Sequence, residues 1–587
     1  MFGLRQAGII FAISNVVSAI PTWPLSDLER RQSPAGTFIE TKGVTDVELG
    51  YRKEIHTLQK DPDAWNMYLL GLARFKEVDG SDPQSYYQIA SIHGQPYVNW
   101  DNMGPCDGCS PAGYCTHSST LFPTWHRAYL ALYEQALVRN AIAVAEEFTG
   151  DDYNKYTAVA RNLRIPFWDW AALPAEGENP FPNMFTDEEV SVYSPTGQMN
   201  IPNPLKGYNF KDTETHDFMN SDVTTRKPTF TVDNRKQLRS DLWTVLSSNQ
   251  IYNAFATQSL NTDGGNFNPS SLEAIHDNIH ILTGGHMTIV PQSAYDPVFW
   301  LHHTNVDRVF AIYQAAYPEK WLEQAAEVGS SMWYTQGAMK DATSGLEPFH
   351  QTSEGVMWTS DNLRDTHSLN YVYDDLNSQG AAPLINSLYG NQGQEFKAGS
   401  SEQGTMAKRG QAKTLGGYLN NILTPPLLDG KTTEFIASVE VDAMRMNGSF
   451  TIFIFDGAFN EGDASDWYSE ENMIGFHGFF ASPTAMDSDS KVRAGISITD
   501  ALFSRTLGGL LDDLTNGGVS SYLKNKIDWR IVDSTGCIRE NKDVPGLKVD
   551  VISSEVEIPK DNNVLPTWGA FDVLHEITEG KNCEEQK

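Results

Sequence analysis

From about residue 45 to residue 340, apolar side chains recur at steps of three and four, the period of a helix with one buried face. In TLFPTWHRAYLALYEQALVRNAIAVAEEF (residues 120–148), Pro123 suits a first helical turn, and Ala, Leu and Tyr then recur on one side. SSLEAIHDNIHILTGG (270–285) opens on capping serines, carries Leu272, Ile275, Ile279 and Leu282 on one stripe, and stops at Gly284-Gly285. DPVFWLHHTNVDRVFAIYQAAY (296–317) follows the same logic. Beyond residue 412 the period shortens. TEFIASVEVDAM, GSFTIFIFDG, KIDWRIVDS and LKVDVISSEVEI are short, β-branched or alternating, and bounded by turn residues. The pattern predicts a mainly α domain followed by an all-β, sandwich-like C-terminal domain at 413–587. The segment 391–412, rich in Gly, Ser, Gln and Ala, reads as a linker.

At the start of the chain, Arg5 precedes the apolar run AGIIFAISNVV and the small residues Val17-Ser18-Ala19. This is the form of a secretory signal peptide cut after residue 19, too short for a membrane span, and it implies a secreted protein. Arg30-Arg31 resembles a dibasic processing site that would remove 20–31 as a propeptide, leaving a first domain at 32–390. A second pair, Lys408-Arg409, lies in the linker, where a processing protease could cut after Arg409.

The 587 residues exceed one ordinary core, in keeping with two domains. Asp and Glu outnumber Lys and Arg by 75 to 43, a formal charge of −32, which argues against nucleic acid or an anionic membrane as partner.

The candidate chemistry lies in the histidines. His276 and His280 stand at i and i+4, so both rings leave one helix face about a turn apart, as two ligands of one ion would. His302 and His303 are adjacent and point about 100° apart on a helix, so only one can share that site; spacing alone does not say which. His93, His117 and His126 offer a second trio. Two sets of neutral imidazoles favour copper or zinc over magnesium or calcium. Cys115, two residues before His117, is open on spacing alone to a disulfide, a metal bond or a free thiol.

SIHG, YCTHSS, FPTWHRAYL, IPFWDW, LEAIHDNIH and DPVFWLHHTNVDR, in that order, resemble the type-3 copper family of tyrosinases, catechol oxidases, o-aminophenol oxidases and haemocyanins. The likeness spans about 45–375, and the arrangement is similar to that of long secreted fungal tyrosinases. It implies a four-helix bundle holding two copper ions, one on His93, His117 and His126, the other on His276, His280 and His303. His286 is left structural. It also implies a thioether from Cys115 to the His117 ring. Of five cysteines, Cys106 with Cys109 and Cys537 with Cys583 would then form disulfides, although Cys106 and Cys109 could instead be copper-delivery thiols. Tyr371-Val372-Tyr373 matches the motif that closes the catalytic domain.

The implied activity is oxidation of phenols by dioxygen: o-diphenols to o-quinones, with o-hydroxylation of monophenols, as in melanin-type pigment formation. Glu273 matches a carboxylate that holds a water near the second copper, and it also suits a helix first turn. Phe299 matches an aromatic packed on the ligands. Val290 is expected near the entrance. Asp277 departs from the Asn of many hydroxylating relatives; an ionised Asp accepts hydrogen bonds and donates none, so its effect on hydroxylation is open. The C-terminal domain resembles a lid, with Phe476, Phe479 or Phe480 of GFHGFF as the plug of a latent proenzyme. The alternatives are a catechol or o-aminophenol oxidase, a haemocyanin-like oxygen carrier and a zinc hydrolase. Asn447-Gly448-Ser449 is a glycosylation sequon.

Overall fold

A computed structural model describes residues 37–581 apart from 46, 110–111, 249, 261–268, 391–426, 428 and 483–490. The signal, propeptide and linker expectations, with Lys408-Arg409 and Cys583, lie outside the described residues.

The helical domain is built around α1 (Pro62–Glu77), α2 (Phe122–Ala145), α3 (Val232–Ser247), α4 (Leu272–Thr283) and α5 (Pro297–Ala316). Their ends follow from local chemistry. Pro123 occupies the first turn of α2, where its missing N–H costs nothing. Ser271 caps α4 by accepting the Ala274 N–H, and Gly284 ends it at φ +71°, a left-handed conformation that a β-carbon disfavours. Asp296 caps α5 by accepting the Val298 N–H. α1 packs on α2, α2 on α5, and α5 on α4, which brings the histidine-bearing faces together. Among the described residues, no helix is long and apolar enough to cross a membrane.

A buried ionic knot fixes the two ligand-bearing helices. Asp307, one turn beyond His303, accepts from Arg127 Nε at 2.6 Å and from Arg52 Nη1 at 3.1 Å. The Tyr371 and Tyr373 hydroxyls donate to Oδ2, the oxygen that Arg52 also reaches, at 2.5 and 2.6 Å. Those tyrosines sit on a strand, Tyr371–Tyr373, that pairs in parallel with Gly50–Arg52, so both ends of the domain are tied to the site. Burial opposes the charge on Asp307, but Arg127 and Arg52 hold its carboxyl below the usual range.

The C-terminal domain has two antiparallel sheets. One contains β1 (Lys431–Val441) between β4 (Val492–Ser497) and β6 (Lys548–Glu557); the other contains β2 (Phe450–Asp456) between β3 (Met473–Phe479) and β5 (Ile527–Asp533). The domain is β-rich, as expected. Two helices, α6 (Thr499–Leu507) and Asn516–Leu523, interrupt the strands. The second is capped by Thr515 and was hidden by the turn-like NGG at its start.

Strand β3 lies against α4. A β-carbon on Gly478 would come within 2.3 Å of Ile281, so only glycine allows this approach. The Gly478 N–H donates to Asn278 Oδ1 at 2.7 Å, and the Phe476 N–H and C=O both bond to the Gln237 amide.

Candidate metal centre

His93 follows the short helix Tyr86–Ser91, His117 lies on the turn before α2, and His126 is on α2. Their ring centroids are 5.5 to 5.9 Å apart. Nδ1 of His93 meets the Val290 carbonyl at 3.0 Å, and Nδ1 of His126 meets the Phe122 carbonyl at 2.8 Å. A carbonyl only accepts, so each Nδ1 carries the proton and each Nε2 keeps its lone pair. The Nε2 atoms of His93, His117 and His126 are buried without a hydrogen-bond partner. Three orphaned lone pairs in one dry cluster are costly unless a cation receives them.

The second cluster stands on α4 and α5. His276 Nε2 and His280 Nε2 are 3.0 Å apart, as expected of two nitrogens each about 2.0 Å from one ion. His280 Nδ1 donates to the Met287 carbonyl at 2.8 Å, and His276 Nδ1 faces Asp277 Oδ1 at 2.9 Å. Both His302 and His303 reach this cluster, and their nitrogens lie within ligand range of His276 and His280. They differ in what else they touch. The His303 ring stacks on His126 of the first cluster at 4.4 Å, whereas His302 stacks on His276 at 5.0 Å, toward Trp170. His117 and His276 are 5.6 Å apart. The rings therefore converge as a trio, His93, His117 and His126, adjoining a group of four, His276, His280, His302 and His303.

Burial pushes all seven imidazoles down, His117 to about 4 and His302 to about 3, so the rings are neutral at neutral pH. Neutral imidazoles without a carboxylate ligand fit copper or zinc.

Two acids border the second trio. Glu273 accepts from the Ser118 N–H at 2.5 Å, Thr257 Oγ1 at 2.7 Å and the Gln258 N–H at 3.1 Å. Burial nevertheless raises its pKa to about 7. Asp277 spends one oxygen on His276; the other accepts from Gln258 Nε2 at 2.9 Å and from the backbone N–H of Phe480 at 3.0 Å. Burial and the nearby charge of Glu273 push Asp277 up as well.

Phe480, the residue after β3, comes from the other domain. Its ring stacks on His280 at 3.9 Å with planes 12° apart, and it meets His117 and His276 edge-on. Phe476 packs on Tyr468, and Phe479 on Phe450. Of the three aromatics expected as plugs, only Phe480 sits on the histidines.

Phe299 packs on His303 at 4.1 Å. Val290 meets the site through its carbonyl. His286 bonds Thr225 and Met219 away from both trios. Cys106 and Cys109 are disulfide-bonded, and Cys115 Sγ lies 3.6 Å from His117 Nδ1. Sequence reasoning did not find Gln258, Asn278 or Gln237. For Asn278 the only signal was a polar side chain within the mostly apolar helix α4; Gln258 lies in a loop and left none.

Two family models match: the common central domain of tyrosinase over residues 83–316 and the tyrosinase C-terminal domain over 434–551. The chain is 30% identical to a tyrosinase of Podospora anserina, over 84% of this chain and 98% of that protein. It is 29% identical to a tyrosinase of Neurospora crassa, over 93% and 98%. Among solved structures, mushroom tyrosinase, crystallised in latent and active forms together, superposes with a TM-score of 0.73 at 26% identity, covering 91% of this chain and 98% of that one. With two domain models matched in order and near full-length coverage of its relatives, the chain belongs to the tyrosinase family of type-3 copper oxidoreductases.

Proposed function

We propose that this chain is a secreted, latent tyrosinase-type phenol oxidase. His93, His117 and His126 would hold one copper and His276, His280 and His303 the other. Bound there, the copper pair supplies dioxygen activation and the redox change that takes an o-diphenol to an o-quinone. The chain's own residues do the rest. The carbonyls of Val290, Phe122 and Met287 fix ring tautomers so that Nε2 faces inward. Phe299 packs the His303 ring in place. A thioether from Cys115 to the His117 ring would immobilise that ligand; the sulfur is already at contact distance.

The observation that carries the reading is an aromatic ring, Phe480, stacked on His280 where two buried imidazole clusters adjoin. A phenol needs the place that Phe480 fills. Closure by Phe480 and opening by cleavage after Arg409, between the domains at 32–390 and 413–587, make a latent proenzyme. The test measures copper content and catechol turnover before and after cleavage. Two coppers per chain and a large rise in turnover support the reading. One metal, zinc alone, or reversible oxygen binding without turnover refutes it.

Within this reading o-diphenol oxidation carries more weight than hydroxylation. Every oxygen of Glu273 and Asp277 has a protein donor, and opening the lid removes only that of the Phe480 N–H, so both acids stay engaged when a monophenol enters. A catechol oxidase is the alternative that this favours, and tyrosine against DOPA on the cleaved protein separates the two.

A further inference from the structure

The turn that carries His117 is strained and doubly held. Ser118 adopts φ +53°, a left-handed conformation that a serine takes only when its surroundings impose it. On one side, Glu273 accepts the Ser118 N–H. On the other, the Ser119 hydroxyl donates to Oε1 of Glu327 at 2.9 Å and itself accepts the Leu121 N–H at 3.1 Å, at the entry to α2. Glu327 comes from a distant hairpin, where its backbone N–H bonds Ala338 and its carbonyl bonds Gly337. Its side chain is 4% exposed, and its Oε2 is buried without a hydrogen-bond partner. A buried carboxylate half left unsatisfied is expensive for a purely structural residue.

We infer that Glu327 is a positioning residue of the metal centre, holding through Ser119 the turn that aims His117 at the first metal. This rests on the proposed function, since it presumes that His117 is a ligand. Ser119 lies between His117 and His126 in the chain, so the bond to Glu327 sets the spacing of two ligands at once. The charges that face Glu327 are Glu273, which raises its pKa, and Lys340, which lowers it; burial is the larger influence and takes it to about 7.

The substitutions Glu327→Ala, Glu327→Gln and Ser119→Ala separate the hydrogen bond from the charge. Gln keeps an acceptor for Ser119 and removes the charge. Ala removes both. Apo full-length protein titrated with copper should fill both sites in the wild type and Glu327→Gln. Glu327→Ala should bind the first-site copper roughly 10–100-fold more weakly, the usual cost of losing a residue that orients a ligand. After opening by limited proteolysis, Glu327→Ala should lose kcat on catechol by a similar factor with KM little changed. Glu327→Gln should keep kcat near wild type, because the bond from Ser119 survives. Ser119→Ala should resemble Glu327→Ala, and the double variant should be no worse than either. Glu327→Ala with normal copper affinity and kcat, even at a lowered Tm, overturns the proposal; so do strictly additive effects. A wild type that binds no copper or oxidises no catechol sinks the functional reading instead, and the two failures are distinguishable.

Discussion

Asp277→Asn tests the contact between the domains at a buried point, where the lid backbone meets the metal centre. Asp277 is faced by donors on both sides: His276 Nδ1 at one oxygen, and Gln258 Nε2 and the Phe480 N–H at the other. When His276 binds metal through Nε2, its proton sits on Nδ1, so all three partners donate and the anion is the form they fit. Burial and Glu273 oppose that charge. Asparagine offers one oxygen and one amino group. With the oxygen kept on His276, the amino group meets Gln258 and Phe480. Gln258 can turn, because its Oε1 is buried without a partner and would accept the new N–H. The Phe480 backbone cannot turn. Its N–H is left buried and unsatisfied, at a cost of about 1–3 kcal/mol to the closed state. That is roughly a 5- to 150-fold shift toward the open form at 1.4 kcal/mol per tenfold.

The assay is catechol turnover of intact Asp277→Asn relative to the same variant after cleavage, so that changes in the chemistry cancel. The ratio should rise by that factor over wild type. An unchanged ratio would mean that the lid is not held at Asp277. Tyrosine against DOPA on the cleaved variant shows separately whether this position sets the balance of hydroxylation.

Phe480→Ala removes the stacked ring; losing about 2 kcal/mol of burial should raise intact-chain activity roughly 30-fold, and unchanged latency would acquit the residue. His303→Ala should leave one copper per chain and His302→Ala two, counted by metal analysis. Asp307→Asn breaks a buried ion pair and should destabilise the helical domain by about 3–5 kcal/mol in denaturant unfolding. Latency should also weaken as pH rises. Burial raises Asp241 on α3 to about 7 and Glu434 on β1 to about 8, and it raises Asp500 on α6 as well. The Ser497 N–H and Gln237 face Asp241; Ser240, Lys236 and Arg239 face Asp500; Thr499 faces Glu434. Asp241 and Asp500 make their bonds across the two domains, whereas Glu434 bonds within its own; docked, the first two keep protons that the separated domains release, so docking is strongest at low pH and declines between about pH 4 and 7. The ratio of intact to cleaved activity at pH 5 and pH 8 checks the sign.

The three- and four-residue period showed where α2, α4 and α5 lie because each buries one continuous stripe, and Ser271, Asp296 and Pro123 marked their starts. The same period put His276 and His280 on one face. It could not choose between His302 and His303, since a helix turns both into the buried interior and only contacts with the first trio separate them. The lid was legible as GFHGFF but not its working residue. Alternation along β3 turns Phe479 into the core of its own domain and puts Phe476 and Gly478 on the opposite face, toward the helical domain; Phe480, just past the end of the strand, is the one that reaches the histidines. Contacts across hundreds of residues, such as Glu327 with Ser119 or Gln237 with Phe476, leave no local pattern.

Copper bound per folded chain, counted in wild type and in single alanine variants of His93, His117, His126, His276, His280 and His303, bears most directly on the account. It predicts two ions in the wild type and loss of one with each substitution. A wild type that saturates at one ion, or a variant in either trio that still holds two, contradicts it.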